Sequence, residues 1–351
     1  MMETLNIISE TYSKKKVSGP NKVIINTIKG LKRIGYPYVL NKDIRKYRYN
    51  WIHDSTSGII EAGLNKIPAV IGPNVVVLPN DLWPLVPFLS RSVYLHPSPW
   101  CVNLWKEVGF SECPLYHWPV GIDTDDFNIV RTVDSAKNVM VYLKNREKRL
   151  SEYAVEILKK AGYTPYVIRY GDYNELEYKT VLSKTCFGLW IGISESQGIA
   201  LQEALSSNLP LIVCNVQSLF EGNDKNGYRF PPGLMNFKPT SAPYFDKRCG
   251  IIIEDICLLE QAVKEVTENL EGFRPREYIL ENLSLEKQAL ELISFFSYLN
   301  TNELKNILDN NQDERINDFK LSFTGSFYYS AFVLRRKAKT GIRLIREKLM
   351  K

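Results

Sequence analysis

The chain has 351 residues, of which 44% are hydrophobic and 24% are charged, a composition typical of soluble globular proteins and a length that suits two domains. Its formal net charge of +6 is concentrated in residues 335–351, RRKAKTGIRLIREKLMK, which hold eight Lys or Arg and one Glu. The rest is close to neutral, which argues against a nucleic-acid-binding body. No apolar run approaches the roughly 20 residues of a transmembrane helix, and no signal pattern begins the chain, so we expect a cytoplasmic protein.

Cysteine and histidine offer little material for a metal site. The six cysteines form no C-x-x-C pair, and the chain has three histidines, so we expect buried, reduced thiols and no metal. The acidic run DTDDF at 123–127 lies in a predicted loop rather than at a strand end, and it is not a divalent-metal motif in that position.

Short strands alternate with helices over the first 125 residues, and this alternation predicts a parallel sheet with crossover helices. The loop SKKKVSGPNK at 13–22 precedes the first helix. In chain order, we predict strands at 5–12, 49–54, 67–78 (with a turn), 92–98 and 114–118, and helices at 23–35, 57–66 and 99–108.

The same alternation begins again after a polar stretch at 128–137. Further strands are predicted at 137–145, 163–172, 186–194 and 249–255, and helices at 146–162, 173–185 and 256–270. The fold class predicted is α/β, with two Rossmann-like doubly wound domains facing across a cleft, at 1–125 and 126–290. C-terminal helices with a basic amphipathic tail complete the chain at 291–351. Ligands of such sheets bind outside the carboxyl ends of the strands.

Two acids flank a glycine in the stretch WIGISESQGIALQEALSSNLPLIVC at 190–214. Glu195 precedes a predicted helix and Glu203 lies within it, while Gly198 lets a ligand approach the backbone closely. A helix that begins near Gly198 presents unpaired N–H groups and partial positive charge, which suit a diphosphate. Carboxylates suit the vicinal hydroxyls of a sugar. On these residues alone, two solvent-exposed acids remain the alternative.

Residues 169–215 resemble the donor-binding segment of the retaining glycosyltransferases with the GT-B fold, of the family 4 (group 1) type. That family has a buried strand, then S-x-x-E-x-x-G-x-x-x-x-E-A and a Pro-flanked strand. The positions of this chain that fall on the pattern are Glu195, Gly198, Glu203, Ala204 and Pro210.

The chain departs from the family mildly at Asn208, where a Gly is usual, because Asn also tolerates a left-handed helix end. The loop PVGIDTDDF at 119–127 and the segment APYFDKRCGIII at 242–253 resemble further parts of the family pattern. The resemblance covers about residues 115–260 well and the N-terminal half weakly.

The resemblance implies roles for individual residues. Glu203 is expected to hold the ribose hydroxyls of a nucleotide, and Glu195 to contact the donor sugar. Lys144 is expected to hold the diphosphate and to act in catalysis together with Glu195, with Arg149 as the second cation. The base is expected near the loop that begins at Tyr170. The backbone expected to hold the distal phosphate runs through Ser196, Gln197, Gly198 and Ile199.

The N-terminal half carries weaker signals. Gly19 stands where the family has a Gly-rich loop that approaches the donor phosphate. His53 and Asp54, in NWIHDSTSG, resemble a strand end at which the family places a His or an acid beside the reacting sugar. A satisfied surface His–Asp pair is the alternative for them. His96 and His117 also end strands and can line an acceptor site, although structural roles suit them better.

The function implied is retaining, metal-independent transfer of a sugar from a UDP- or GDP-sugar to a hydroxyl of a glycan, glycoprotein or glycolipid, without a cofactor. A non-catalytic nucleotide-sugar or glycan-binding relative is the main alternative, and a phosphorylase or epimerase with the same fold is a third. Residues 335–351 have helical spacing of cations and apolar residues, so they either pack on the body or bind an anionic membrane surface peripherally.

Overall fold

The computed structural model describes residues 3–12, 18–130, 136–221 and 230–299. It has two parallel sheets with helices on their faces, which confirms the predicted α/β architecture. Residues 300–351, including the basic tail, lie outside the described residues. None of the helices within these ranges is long and apolar enough to cross a bilayer.

The first sheet holds six parallel strands from the N-terminal part of the chain. They are β1 (Leu5–Ile8), β2 (Tyr38–Leu40), β3 (Tyr49–Ile52), β4 (Ala69–Ile71), β5 (Ser92–His96) and β6 (Leu115–His117). The spatial order is β2-β1-β3-β4-β5-β6. Every residue of β1, β4 and β5 is buried, because a parallel sheet is covered on both faces and needs continuous apolar runs.

Four helices connect these strands. They are α1 (Gly19–Arg33), α2 (Thr56–Leu64), α3 (Pro79–Leu82) and α4 (Pro99–Glu107), with 3₁₀ turns at Ile44–Lys46 and Trp83–Phe88. Helix α1 begins four residues before its predicted start because Pro20 occupies its first turn, where a missing N–H costs nothing. The strand β2 and the helix α3 were absent from the predicted elements, since both are too short to show a period.

The second sheet holds five parallel strands. They are β7 (Asn138–Leu143), β8 (Thr164–Arg169), β9 (Phe187–Ile191), β10 (Leu211–Cys214) and β11 (Gly250–Ile253), and their spatial order is β11-β10-β9-β7-β8. The helices are α5 (Lys148–Lys160), α6 (Glu175–Lys184), α7 (Ile199–Ser206) and α8 (Leu259–Glu268), with 3₁₀ turns at Pro232–Leu234, Ile256–Leu258 and Leu270–Gly272. Asn208, just after α7, has a φ of 56°, the left-handed conformation predicted for it.

Two further helices, α9 (Pro275–Leu283) and α10 (Leu285–Tyr298), end the described chain. Helix α10 returns to the first sheet and packs along α1, where Leu292 and Phe296 join the core. Gly30 of α1 permits this contact, because a Cβ there would overlap the carbonyl oxygen of Leu285. The predicted boundary at residue 290 therefore falls inside a helix that belongs by packing to the first sheet.

Candidate functional site

A cavity of about 590 Å³ lies between the carboxyl ends of the two sets of strands. The first sheet contributes Gly19 and Lys22 at the start of α1, together with residues that follow β4 and β5. The second sheet contributes the ends of β7, β8 and β9 and the start of α7. This volume suits a ligand of nucleotide size. The second-sheet residues in its lining include Lys144, Tyr170, Glu195, Ser196, Gln197, Gly198, Ile199 and Glu203.

Helix α7 begins at this cavity. Gly198 precedes it with a φ of 79°, a left-handed conformation that costs an L side chain about 1–2 kcal/mol. Gly198 has no side chain with which to cap the helix, and the first N–H groups of a helix lack partners within it, so they suit a ligand in the cavity. The sequence places Gly here because a tight turn must lead from a buried strand directly into a helix.

Glu195 and Lys144 form a buried ion pair in the cavity wall. Lys144 Nζ donates to both carboxylate oxygens of Glu195, at 2.9 and 2.8 Å. Burial alone lowers the pKa of Lys144, but attraction and hydrogen bonding to Glu195 outweigh it, so the pKa lies above its ordinary value. The Lys144 ammonium also lies 4.6 Å from the ring centre of Tyr170. Lys144 is therefore held charged just beyond the end of β7, against the Glu195 carboxylate that follows β9.

Glu203 lies in the second turn of α7 and is buried. Burial raises the pKa of its carboxyl group above the ordinary value, and Lys22 opposes this rise. Lys22 Nζ contacts Glu203 directly and lies 3.2 Å from Glu175 Oε2. Because Lys22 belongs to α1 and both acids belong to the second sheet's helices, this ion pair crosses the cleft.

Four aromatic side chains form one wall of the cavity. The rings of Tyr142 and Trp190 stack at 3.8 Å with an angle of 6° between their planes. Tyr142 and Tyr173 share a hydrogen bond of 3.2 Å between their hydroxyls, and Tyr178 donates to the Ala200 carbonyl at 2.6 Å. Trp190 Nε1 is buried and has no hydrogen-bond partner among the described residues. The wall therefore consists of rings in mutual contact, one pair stacked and the others tilted or edge to face.

Gln197 lines the cavity but directs its side chain elsewhere. Its amide oxygen accepts from the Val120 amide at 3.0 Å, and its amide nitrogen donates to the Val120 carbonyl at 2.8 Å. The same nitrogen donates to Gln202 Oε1 at 2.9 Å. The side chain thus fixes α7 to the segment between the two sheets, which leaves its backbone for the role predicted.

Arg149 is exposed in the first turn of α5 and is not among the residues that line the cavity. Arg146, three residues earlier, is the cation directed inward. It is 10% exposed, pairs with Glu221 at 2.8 Å and approaches the Gly192 carbonyl at 3.5 Å. Arg146 lines a smaller pocket of about 200 Å³ that meets the main cavity at Tyr170.

His53 and Asp54 lie beneath the cavity surface rather than in its lining. The His53 ring is fully buried, with Nε2 3.1 Å from the Pro20 carbonyl oxygen, and burial lowers its pKa to about 4. Asp54 accepts hydrogen bonds from the Ser9 hydroxyl and the Glu10 amide at 3.1 and 2.8 Å. In this structure, the pair supports the loop after β1 and the start of α1.

The other two histidines also lie away from the cavity lining. His96 is buried against Trp105, with ring centres 4.4 Å apart, and burial lowers its pKa to about 3. His117 is exposed at the end of β6. In the part of the chain that the structure describes, no group of three or more His, Cys, Asp and Glu is arranged to hold a metal ion.

Two cations escaped prediction: Lys22, which lines the main cavity, and Arg146, which lines the smaller pocket beside it. A signal for Lys22 was present in the sequence, because Gly19-Pro20 marks a helix start and places Lys22 in the first turn. Arg146 carried no comparable signal, since it stands in a run of four charged residues that ends at Arg149. Only the start of α5 at Lys148 decides which of them turns inward.

No protein-family model matches this sequence, and no curated protein matches it. Solved structures do resemble the fold. Sucrose-phosphate synthase from Thermosynechococcus elongatus has a TM-score of 0.54 at 11% identity, over 85% of this chain and 99% of that one. The catalytic domain of starch synthase IV from Arabidopsis thaliana has a TM-score of 0.55 at 10% identity, over 85% of this chain and 99% of that one. The lipopolysaccharide outer core galactosyltransferase WaaB has a TM-score of 0.51 at 11% identity, over 84% of this chain and 99% of that one. The chain thus has the GT-B fold.

Proposed function

We propose that this protein transfers a sugar from a nucleoside-diphosphate sugar, UDP- or GDP-linked, to a hydroxyl of a glycan, glycoprotein or glycolipid, with retention at the anomeric carbon and without a metal ion. The observation that carries the proposal is the cavity in which Glu203, the uncapped start of α7 and the Lys144–Glu195 pair line a single wall. The fold of the neighbouring structures supports the class, and one of them, the starch synthase, was solved with ADP and acarbose.

Each part of a nucleotide sugar has a complementary group in this wall. Ribose hydroxyls donate to the Glu203 carboxylate. The diphosphate lies at the start of α7, where N–H groups and the helix dipole favour negative charge. The base lies in the aromatic part of the wall toward Tyr170. The donor sugar then lies near Glu195, on the side of the cavity that faces the first sheet.

The diphosphate is the leaving group, so the protein's main chemical task is to stabilise negative charge that develops on it. The α7 amides and the Lys144 ammonium supply this stabilisation in a partly enclosed site, where a fixed charge acts more strongly than in water. Glu195 holds Lys144 in place through two hydrogen bonds. Cationic side chains thus take the part that a divalent metal takes elsewhere.

The test is a panel of UDP-, GDP-, ADP-, CMP- and dTDP-sugars, scored by binding calorimetry and by nucleotide release with and without glycan acceptors. We expect binding and release with one nucleotide class, and a loss of about 10- to 100-fold in affinity for Glu203→Ala, since a hydrogen bond to a charged group is worth about 1.5–3 kcal/mol. Glu152→Ala, on the exposed face of α5, is the control. Binding without release would favour the non-catalytic alternative, and no binding at all would refute the proposal.

A further inference from the structure

Lys22 is the residue by which the first sheet reaches the proposed ribose site. It lies in the first turn of α1, with its side chain 22% exposed, and its ammonium contacts Glu203 and Glu175 across the cleft. The ammonium also lies 5.0 Å from the ring centre of Phe127. In this structure, Lys22 therefore contacts one of the two Glu203 carboxylate oxygens that are the acceptors proposed for the ribose hydroxyls.

The charges around Glu203 make some partner necessary. Burial disfavours its carboxylate, and Glu175 and Asp126 add repulsion, while Lys22 is the neighbour that opposes both effects. Leaving a buried carboxylate without a donor is expensive. Ribose hydroxyls can take over as donors, and a nucleoside that did so would free the Lys22 ammonium in a partly buried cleft.

A diphosphate offers the freed ammonium a better position. Glu203 lies five residues beyond Gly198, about 7 Å along α7, so a nucleotide with its ribose at Glu203 brings its phosphates toward the start of that helix. Lys22 and Gly19 line the same cavity from the opposite side. The four-carbon stem of lysine is flexible and carries a point charge, which lets one side chain serve both positions.

We propose that Lys22 exchanges partners when donor binds: it neutralises Glu203 while the cleft is empty and contacts the diphosphate once ribose hydroxyls occupy Glu203. This inference rests on the proposed function and adds a diphosphate-dependent contact from the first sheet. Its consequence is selectivity. A nucleoside leaves the displaced ammonium with Glu175 as its remaining carboxylate partner, whereas a nucleoside diphosphate supplies it with a new one.

The test compares nucleosides with nucleoside diphosphates on the full chain. Calorimetry with uridine, UDP, guanosine and GDP is run on the wild type, Lys22→Met and Lys22→Gln. We expect either variant to lose about 10- to 100-fold in affinity for the diphosphate that the wild type binds, while affinity for the matching nucleoside stays the same or rises. Lys22→Gln keeps an amide donor for Glu203, so it tests the exchange even if Lys22→Met folds poorly.

Lys179→Met is the matched control. Lys179 has the same 22% exposure, contacts Glu175 at 3.3 Å and lies 4.8 Å from the ring centre of Phe127, but its other partner is Asp126. Its replacement should leave the diphosphate-to-nucleoside ratio within about threefold of the wild type. An equal loss for both ligands in Lys22→Gln, or an unchanged affinity for the diphosphate, would overturn the exchange. A wild type that binds none of the four ligands would instead refute the proposed function.

Discussion

The Lys144–Glu195 pair allows a direct measurement of how much burial changes the worth of an ion pair. Lys144 and Glu195 side chains are 16% and 8% exposed, and their closest atoms are 2.8 Å apart. Lys144→Met keeps an unbranched side chain, one atom shorter, and removes its charge, which leaves a buried carboxylate without its counter-ion. Removal of one partner of a buried pair costs about 3–5 kcal/mol. Because the cavity admits water beside Lys144, we expect the lower end, about 3 kcal/mol of unfolding free energy.

Urea unfolding at pH 7, followed by tryptophan fluorescence, measures this cost. The reference variant is Lys148→Met, because Lys148 and Glu152 lie 2.8 Å apart as well but are 82% and 60% exposed. A surface pair of this kind contributes about 0.3–0.5 kcal/mol. The double variant Lys144→Met/Glu195→Leu should recover most of the loss, since an apolar pair of similar volume removes the unpaired charge.

Two results would contradict this reasoning, and a third would invalidate the comparison. Lys144→Met and Lys148→Met could cost the same, which would mean that burial does not set the energy of the pair. The double variant could be less stable than Lys144→Met, which would mean that lost packing, and not an unpaired charge, causes the loss of unfolding free energy. A slope of unfolding free energy against urea that differs between variants would show that the compact states are not comparable.

The other predictions concern the backbone and pH. Gly250→Ala should destabilise the protein by several kcal/mol in urea unfolding, because a residue at φ +135° is strained by about 1–3 kcal/mol and its Cβ would overlap Leu211. Gly109→Ala, at φ +81° with open space around it, should lower the free energy of unfolding by only about 1–2 kcal/mol. If Gly250→Ala and Gly109→Ala cost the same, the overlap with Leu211 would not be the cause of the larger loss. The pKa of buried His53 is about 4, below the 6.5 of an unfolded chain, so only the unfolded chain takes up a proton as pH falls from about 6.5 to 4. His53 should contribute about 3 kcal/mol to the loss of stability across that window, beside a similar contribution from buried His96, whose pKa is about 3. The stability of His53→Gln should therefore fall by about 3 kcal/mol less than that of the wild type; parallel curves would show that His53 contributes nothing.

Much of the second sheet's site could be predicted from the sequence because its determinants are local. The run from β9 through Gly198 into α7 forms a buried strand, a turn and a helix over adjacent residues, so its spacing alone brings Glu195 and Glu203 to the same end of the sheet. Lys144 follows β7, the strand that pairs with β9. Parallel neighbours end at the same edge, and Lys144 therefore meets Glu195.

The rest depended on contacts between distant parts of the chain. Lys22 reaches Glu203 only because α1 runs along the cleft between the sheets, which its own sequence does not specify. The strand before His53 was predicted at its observed place, but the Pro20 backbone that covers the His53 ring comes from another segment. The sequence shows where a strand ends; it does not show what lies above that end.

The return of α10 to the first sheet has a consequence for synthesis of the chain on a ribosome. Strand β6 ends at His117, but Leu292 and Phe296, which complete the core beside α1, come from a helix that begins at Leu285. At a synthesis rate of about 5–20 residues per second, roughly 10–40 s pass between synthesis of the last strand of the first sheet and synthesis of the helix that completes its core. During that interval its exposed face is open to chaperones. The second sheet, which emerges later, can nevertheless complete its own core first.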